Sequence, residues 1–351
     1  MTSSIMTEEY DILHVKNLKV DFSTYGGTVQ AVRNISFGIN KGECLALVGE
    51  SGCGKSVSAH SILRIVPEPP GQVSGEILFK GNDLTQLSEK QMLKIRGAEI
   101  SMIFQDPMTY LNPTMRIGTQ VTEIFKEHAP KRISGTELKR LCIDAFDMVG
   151  ITDPEQRFRQ YPYEFSGGMR QRALIAMALI NKPSLIIADE PTTALDVTIQ
   201  SQMLELMKTL QRETKTALIL ITHDLGVVAK MAHRVAIIYA GKIVETAPAT
   251  DIYRNPRHPY TIGLLNSIPS VSKSSKEPLY SIKGTPPDLF NPPKGCGFAP
   301  RCEFAMDICD NYPPPDFQID EGHHSACWLL HHQAPTNNLK TSVLSREGIN
   351  P

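Results

Sequence analysis

The sequence predicts an α/β domain, a largely parallel sheet covered by helices, and three observations carry that prediction. Short apolar runs recur at residues 44–48, 100–104, 185–188, 218–221 and 235–239, each bounded by polar or helical segments, as strands buried on both faces require. The first of them runs into a glycine-rich loop followed by a helical pattern over residues 56–66. Residues 12–22, 31–39 and 76–79 alternate apolar and polar side chains, the pattern of a half-exposed antiparallel sheet.

Each element has a local reason. Pro67, Pro69, Pro70 and Gly71 end the first helix. Residues 106–172 read as mostly helical, with apolar positions at Val121, Ile124, Phe125, Leu138, Leu141, Ala145, Met148 and Val149, and so as a helical insertion into the α/β core. Residues 269–278, rich in Ser, Lys and Pro, read as a linker, and the chain from Pro335 onward reads as a disordered tail. No internal repeat is visible.

Length and charge narrow the function. A chain of 351 residues holds a large domain with an appendage, or two ordinary domains. With 36 basic against 37 acidic side chains, neither nucleic acid nor an acidic lipid surface is the expected partner. Residues 1–11 lack the basic-then-apolar pattern of an export signal, so a cytoplasmic product is expected. No apolar run reaches the roughly eighteen residues of a membrane span, so any membrane role comes through a partner. Cys44, Cys53 and Cys142 are scattered, whereas Cys296, Cys302, Cys309 and Cys327 crowd together, which in a reducing compartment points to metal rather than disulfide.

Gly49-Glu-Ser-Gly-Cys-Gly-Lys-Ser56 fits the phosphate-loop pattern between a strand and a helix. Its glycines let backbone N–H groups face phosphates, the helix N-terminus attracts negative charge, Lys55 reaches the β and γ oxygens, and Ser56 ligates Mg²⁺. The apolar run 185–188 ends in Asp189 and Glu190, suited to holding the Mg²⁺ shell and to polarising an attacking water. Alone, that pair reads equally as a solvated acidic turn. Phe165-Ser-Gly-Gly-Met169 opens a helix whose N-terminus forms a second anion site. Because the chain already has one phosphate loop, this site is expected to serve nucleotide bound to another subunit.

The last motif resembles the Leu-Ser-Gly-Gly-Gln signature of the ATP-binding subunits of ABC transporters, departing from it at Phe165 and Met169 while keeping Ser166, Gly167 and Gly168. The resemblance implies the P-loop NTPase (RecA-like) fold of an ABC nucleotide-binding domain with an antiparallel β subdomain, a helical subdomain and a small Cys-rich C-terminal lobe. It places ATP on Gly49, Ser51, Gly52, Gly54, Lys55, Ser56 and Val57, with Mg²⁺ on Ser56, Gln105 and Asp189. Gln105 matches the Q-loop glutamine, Glu190 the water-polarising base, His223 the switch histidine and Ala194-Leu195-Asp196 the loop that crosses between subunits. Tyr25 is the expected adenine-stacking aromatic, with Phe22 as its rival, and stacking discriminates only weakly between bases.

Residues 102–113, 189–200, 239–245 and 255–261 resemble, more narrowly, the subunits of dipeptide and oligopeptide importers, a group that includes nickel importers. In that branch a similar cysteine set holds a [4Fe–4S] cluster, so the resemblance assigns one to Cys296, Cys302, Cys309 and Cys327, with Zn²⁺ as the alternative and His323 or His324 as added ligands. Implied domains are a nucleotide-binding domain over residues 1–262, with its helical subdomain at about 106–172, a C-terminal lobe over 263–334 and a tail over 335–351. Implied partners are a second, related but non-identical ATPase subunit, two transmembrane permease subunits and, indirectly, an extracytoplasmic substrate-binding protein, which places the chain on the cytoplasmic face of the membrane. Nickel or another small solute, a non-transport ABC ATPase, or an iron–sulfur sensor are the competing readings.

Overall fold

The computed structural model describes residues 10–129, 131, 133–193, 196–268 and 280–335. The expected linker, nearly all of the expected tail, Ala194 and Leu195 lie outside them. Strands are numbered along the chain: β1 (Leu13–Thr24), β2 (Gly27–Ile39), β3 (Cys44–Val48), β4 (Gly71–Phe79), β5 (Asn82–Asp83), β6 (Ile100–Ile103), β7 (Leu185–Asp189), β8 (Ala217–Thr222), β9 (Arg234–Tyr239), β10 (Lys242–Pro248), β11 (Phe317–Asp320) and β12 (His323–Ser325). The chain divides into two compact units, Met1–His14, Gly38–Cys44 and Leu78–Ile221 against Val15–Phe37, Leu45–Ile77 and Thr222–Pro351.

In the first unit β6, β7 and β8 pair in parallel, Ile103 opposite Ala188 and Asp189 opposite Ile221. Every residue of β7 and β8 is buried. Burial on both faces explains why these strands are apolar throughout and do not alternate. The helices Ile117–His128, Gly135–Met148 and Gly167–Leu179 fill the stretch predicted to be helical. Within that pattern Met148 is 42 % exposed, whereas Phe146, which the pattern did not include, is fully buried. Phe146 completes the stripe Cys142, Ala145, Phe146 and Val149, spaced i, i+3, i+4, i+7.

In the second unit β3 and β9 pair in parallel, from Leu45 opposite Arg234 to Val48 opposite Ile237. Beyond β9 the strands turn antiparallel through β10, β12 and β11, edge pairings that were not predicted because β11 and β12 are short and polar. β1, β2 and β4 lie side by side, with β1 and β2 joined by a tight turn at Tyr25 and Gly26. The first helix spans Lys55–Ile62, shorter than predicted, because Arg64 adopts φ 50° and the chain turns before the prolines. The core of this unit is Val48, Val235, Ile237, Tyr239, Tyr260 and Phe298 with their neighbours.

A buried carboxylate ties the last strands together. Glu245 on β10 accepts from Arg257 N at 2.7 Å and His258 N at 2.9 Å, and its Oε1 lies 2.9 Å from His323 Nε2 on β12. Neither side chain of this contact is more than 1 % exposed. Burial pushes the neighbouring His258 down to about 4, partly offset by the charge of Glu245. Glu245→Ala orphans two buried N–H groups and His323 together, and is expected to lower stability by about 3–5 kcal/mol in urea unfolding, with m unchanged.

Candidate functional site

The phosphate loop lies wholly in the second unit, between β3 and the helix Lys55–Ile62. Lys55 is 5 % exposed, and its Nζ donates to the carbonyls of Gly49 at 2.8 Å and Glu50 at 2.9 Å, with Cys53 Sγ at 3.7 Å. Burial pushes the Cys53 thiol up, against the opposing pull of the Lys55 charge. Two glycines are obligatory for separate reasons. A Cβ on Gly49 would stand 2.2 Å from Ile238 O, and one on Gly54, which has φ 101°, would stand 2.4 Å from Ala31 O. Ser51 and Gly52 are exposed, and Ser56 and Val57 are half-buried at the start of the helix.

Tyr25 is fully exposed at the β1–β2 turn, whereas Phe22 is half-buried and its ring lies 3.3 Å from where a Gly71 Cβ would stand. Geometry therefore favours Tyr25 as the free π-face. Phe290, which the sequence did not single out, sits against the same turn, 3.7 Å from the Cβ position of Gly26, and Gln30 N donates to Leu289 O at 2.9 Å. His223 is exposed after β8, immediately before Asp224, which caps the next helix by accepting from Gly226 N at 2.7 Å and Val227 N at 3.3 Å.

In the first unit the acids end β7, where Asp189 is buried. Glu190 leaves the strand with φ 46°, a left-handed conformation that costs a non-glycine residue roughly 1–3 kcal/mol and is a feature of functional sites. Its N–H donates to Ile221 O at 2.9 Å, which locks the turn. Its Oε2 accepts from Gln105 Nε2 at 2.9 Å and Thr193 Oγ1 at 3.0 Å. Gln105 and Glu190, the expected Q-loop glutamine and the expected base, 85 residues apart in sequence, are thus in direct contact.

Ser166 caps the helix Gly167–Leu179, its Oγ accepting from Met169 N at 3.3 Å, and both Ser166 and Gly167 are exposed. A Cβ on Gly167 would meet nothing within 4 Å, so the chain's own packing does not require a glycine there. Phe165, buried, fills the apolar role of the usual leucine, which accounts for that departure from the signature. Gln171 was not anticipated: 1 % exposed, its Nε2 donates to Pro191 O at 2.7 Å and ties the signature helix to the loop after Glu190. Asp196 caps the next helix by accepting from Thr198 N at 3.1 Å and Ile199 N at 3.0 Å.

Residues 32–193 match the family model "ABC transporter", and residues 244–309 match "Oligopeptide/dipeptide transporter, C-terminal region". The oligopeptide transport ATP-binding protein OppD of Bacillus subtilis is 56 % identical over 325 residues, 92 % of this chain and 90 % of that protein. The dipeptide transport ATP-binding protein DppD of the same organism is 54 % identical over 92 % of this chain and 96 % of its own.

The chain belongs to the ATP-binding subunits of oligopeptide and dipeptide ABC transporters.

Solved ABC cassettes share the fold. A dimeric, post-hydrolysis state of the cassette MJ0796 bound to ADP and Pi has TM-score 0.61 at 25 % identity, covering 68 % of this chain and 99 % of that one. The cassette cbiO1 of Clostridium perfringens has TM-score 0.60 at 27 % identity, covering 70 % and 92 %. The protein is an ABC ATPase, and among the described residues no helix is long and apolar enough to cross a membrane.

The four C-terminal cysteines of this ABC subunit line one cavity, with His258, Phe298, Phe304 and Trp328 around them. Burial pushes the thiols of Cys296, Cys302 and Cys327 up, Cys302 to about 11 and Cys327 to about 12, so bare thiolates are disfavoured at these three and a cationic metal would reverse that balance. The donor chemistry thus fits a thiolate-bound metal group, yet among the described residues no three His, Cys, Asp or Glu side chains are arranged to hold a metal ion. The two histidines named as added possibilities are not among the residues lining that cavity: His323 meets Glu245 through Nε2, leaving its buried Nδ1 without a hydrogen-bond partner, and His324 Nδ1 lies 3.2 Å from Asp316 Oδ2.

Gly54→Ala combines a positive φ with a backbone clash, so it is expected to lower stability by about 2 kcal/mol or more and weaken ATP binding at least tenfold. Thermal unfolding and equilibrium nucleotide binding check both effects.

Proposed function

We propose that this ATPase powers import of dipeptides or oligopeptides, pairing head to tail with a second, related ATPase subunit on the cytoplasmic face of a membrane beneath two permease subunits fed by an extracytoplasmic binding protein. The observation that carries the cargo class is the likeness to oligopeptide and dipeptide transport subunits over nearly the whole chain. In this reading Tyr25 stacks on adenine, and the N–H groups from Gly49 to Val57 with Lys55 cradle the β and γ phosphates. Ser56, Asp189 and Gln105 hold the Mg²⁺ shell, and the Ser166–Gly168 helix tip of the mate closes on the γ-phosphate.

Hydrolysis follows from the contacts of Glu190. Its carboxylate, now shared with Gln105 and Thr193, takes a proton from the attacking water while the water oxygen bonds to the γ-phosphorus and the bond to ADP breaks. His223 orients that water from its exposed place after β8. Residues 106–172 carry the resulting motion to the permease, and residues 263–334 act as a regulatory lobe. Glu190→Gln is expected to leave the ATP Kd within about twofold while lowering kcat at least a hundredfold, because only a transition-state interaction is lost. Retained turnover in a phosphate-release assay would remove Glu190 from the role.

Cys296, Cys302, Cys309 and Cys327 are proposed to hold a [4Fe–4S] cluster, or Zn²⁺, on thiolate ligands. When bound, such a group supplies a structural clip or a redox-active centre. Protein purified without oxygen should carry about four iron and four sulfide per chain if it is the cluster, about one zinc if it is the ion, and Cys327→Ser should lose most of either.

A further inference from the structure

A residue of the cysteine lobe holds the phosphate loop from outside. Arg301 Nη1 donates to Glu50 Oε2 at 2.7 Å and Nη2 to Glu50 Oε1 at 3.0 Å, a bidentate fork on the second residue of the loop. The Arg301 side chain is 5 % exposed and that of Glu50 28 %. Its guanidinium is aimed by donation from Nε to Lys283 O at 3.0 Å and from Nη1 to Tyr239 Oη at 3.2 Å, and it lies over the rings of Tyr239 and Phe298 at 5.8 and 5.9 Å. On the backbone side, Glu50 N donates to Tyr260 Oη at 2.9 Å. Glu50 is thus fixed twice, by its side chain and by its amide.

An exposed ion pair contributes little, but this one is planar, two-pronged and largely withdrawn from water on the arginine side. Its placement matters more than its strength, because the Glu50 carbonyl is one of the two that hold Lys55 Nζ. A loop already set in its binding conformation loses less chain entropy when phosphate arrives. Arg301 lies in the turn Ala299–Arg301, framed by Ala299 N donating to Cys296 O and Cys302 N donating to Ala299 O, each at 3.1 Å.

We infer that Arg301 is a positioning residue for ATP: through Glu50 it presets the phosphate loop, and the cysteine lobe thereby sets nucleotide affinity. The inference rests on the phosphate-loop reading above. Loop contacts to the bound polyphosphate are made already in the ground state, so losing their preset form weakens binding more than it slows the chemical step. The effect belongs in KM and Kd more than in kcat.

The test uses the full chain, with ATP binding at equilibrium and ATPase kinetics measured side by side. Arg301→Met is expected to raise Kd and KM for ATP about tenfold, with kcat changed less than about twofold. Arg301→Lys, a single-point donor, should fall between, and the swap Glu50→Arg with Arg301→Glu should recover part of the affinity. Glu50→Gln keeps the shape of the loop residue and serves if Arg301→Met fails to fold. A merely structural role lowers the melting temperature and the active fraction, hence kcat, and leaves KM alone. That pattern, or an unchanged Kd in both Arg301→Met and Glu50→Gln, overturns the inference. Lys55→Met separates the two levels: unchanged affinity there sinks the phosphate-loop reading itself, whereas affinity lost there and kept in the Arg301 and Glu50 variants sinks only the inference.

Discussion

A buried ammonium sets the terms for the rest of the molecule. Lys55 sits almost out of water with carbonyl oxygens of Gly49 and Glu50 as its hydrogen-bond acceptors. Withdrawing such a charge from water costs several kcal/mol, which carbonyl dipoles offset only in part. The N-terminus of the helix Lys55–Ile62 adds further positive potential at the same place. An anion completes this arrangement, and a polyphosphate matches it in charge and in reach. Two glycines exist to let the loop close so tightly, since side chains at 49 and 54 would strike Ile238 O and Ala31 O.

The other half of the chemistry is built by a different economy of contacts. Glu190 is forced into a left-handed turn, its amide tied to Ile221 O and its carboxylate shared by Gln105 and Thr193. That network keeps the carboxylate oriented, as the proposed role of Glu190 as base requires. Gln171 extends the same logic to the signature helix by anchoring it to Pro191. The signature helix and the loop after Glu190 are thereby joined within one unit.

Much of this was legible in the sequence because the chemistry is local. The phosphate loop, the strand ending in Asp189 and Glu190, and the Ser166–Gly168 cap are each contiguous motifs whose geometry follows from adjacent residues. The strand runs were also readable, since burial on both faces leaves continuous apolar stretches such as β7 and β8. What escaped depends on distant pairing. Arg301 is 251 residues from Glu50, His323 is 78 from Glu245, and nothing in the spacing of either announces its partner. Strands β11 and β12 are too short and too polar to carry a period. The cysteines were legible as a group, and line one cavity, but spacing did not fix their ligand geometry.

The account turns on a nucleotide held by Lys55 in one subunit and sealed by the Ser166 helix tip of another. An ATP analogue carrying a photoreactive group on its γ-phosphate reports this directly, by the peptides it labels in the assembled ATPase pair. Labelling of the peptide containing Ser166, Gly167 and Gly168 from the subunit opposite the occupied phosphate loop is the predicted result. Labelling confined to the phosphate-loop subunit, with the helix-tip peptide untouched at saturating nucleotide, would contradict it.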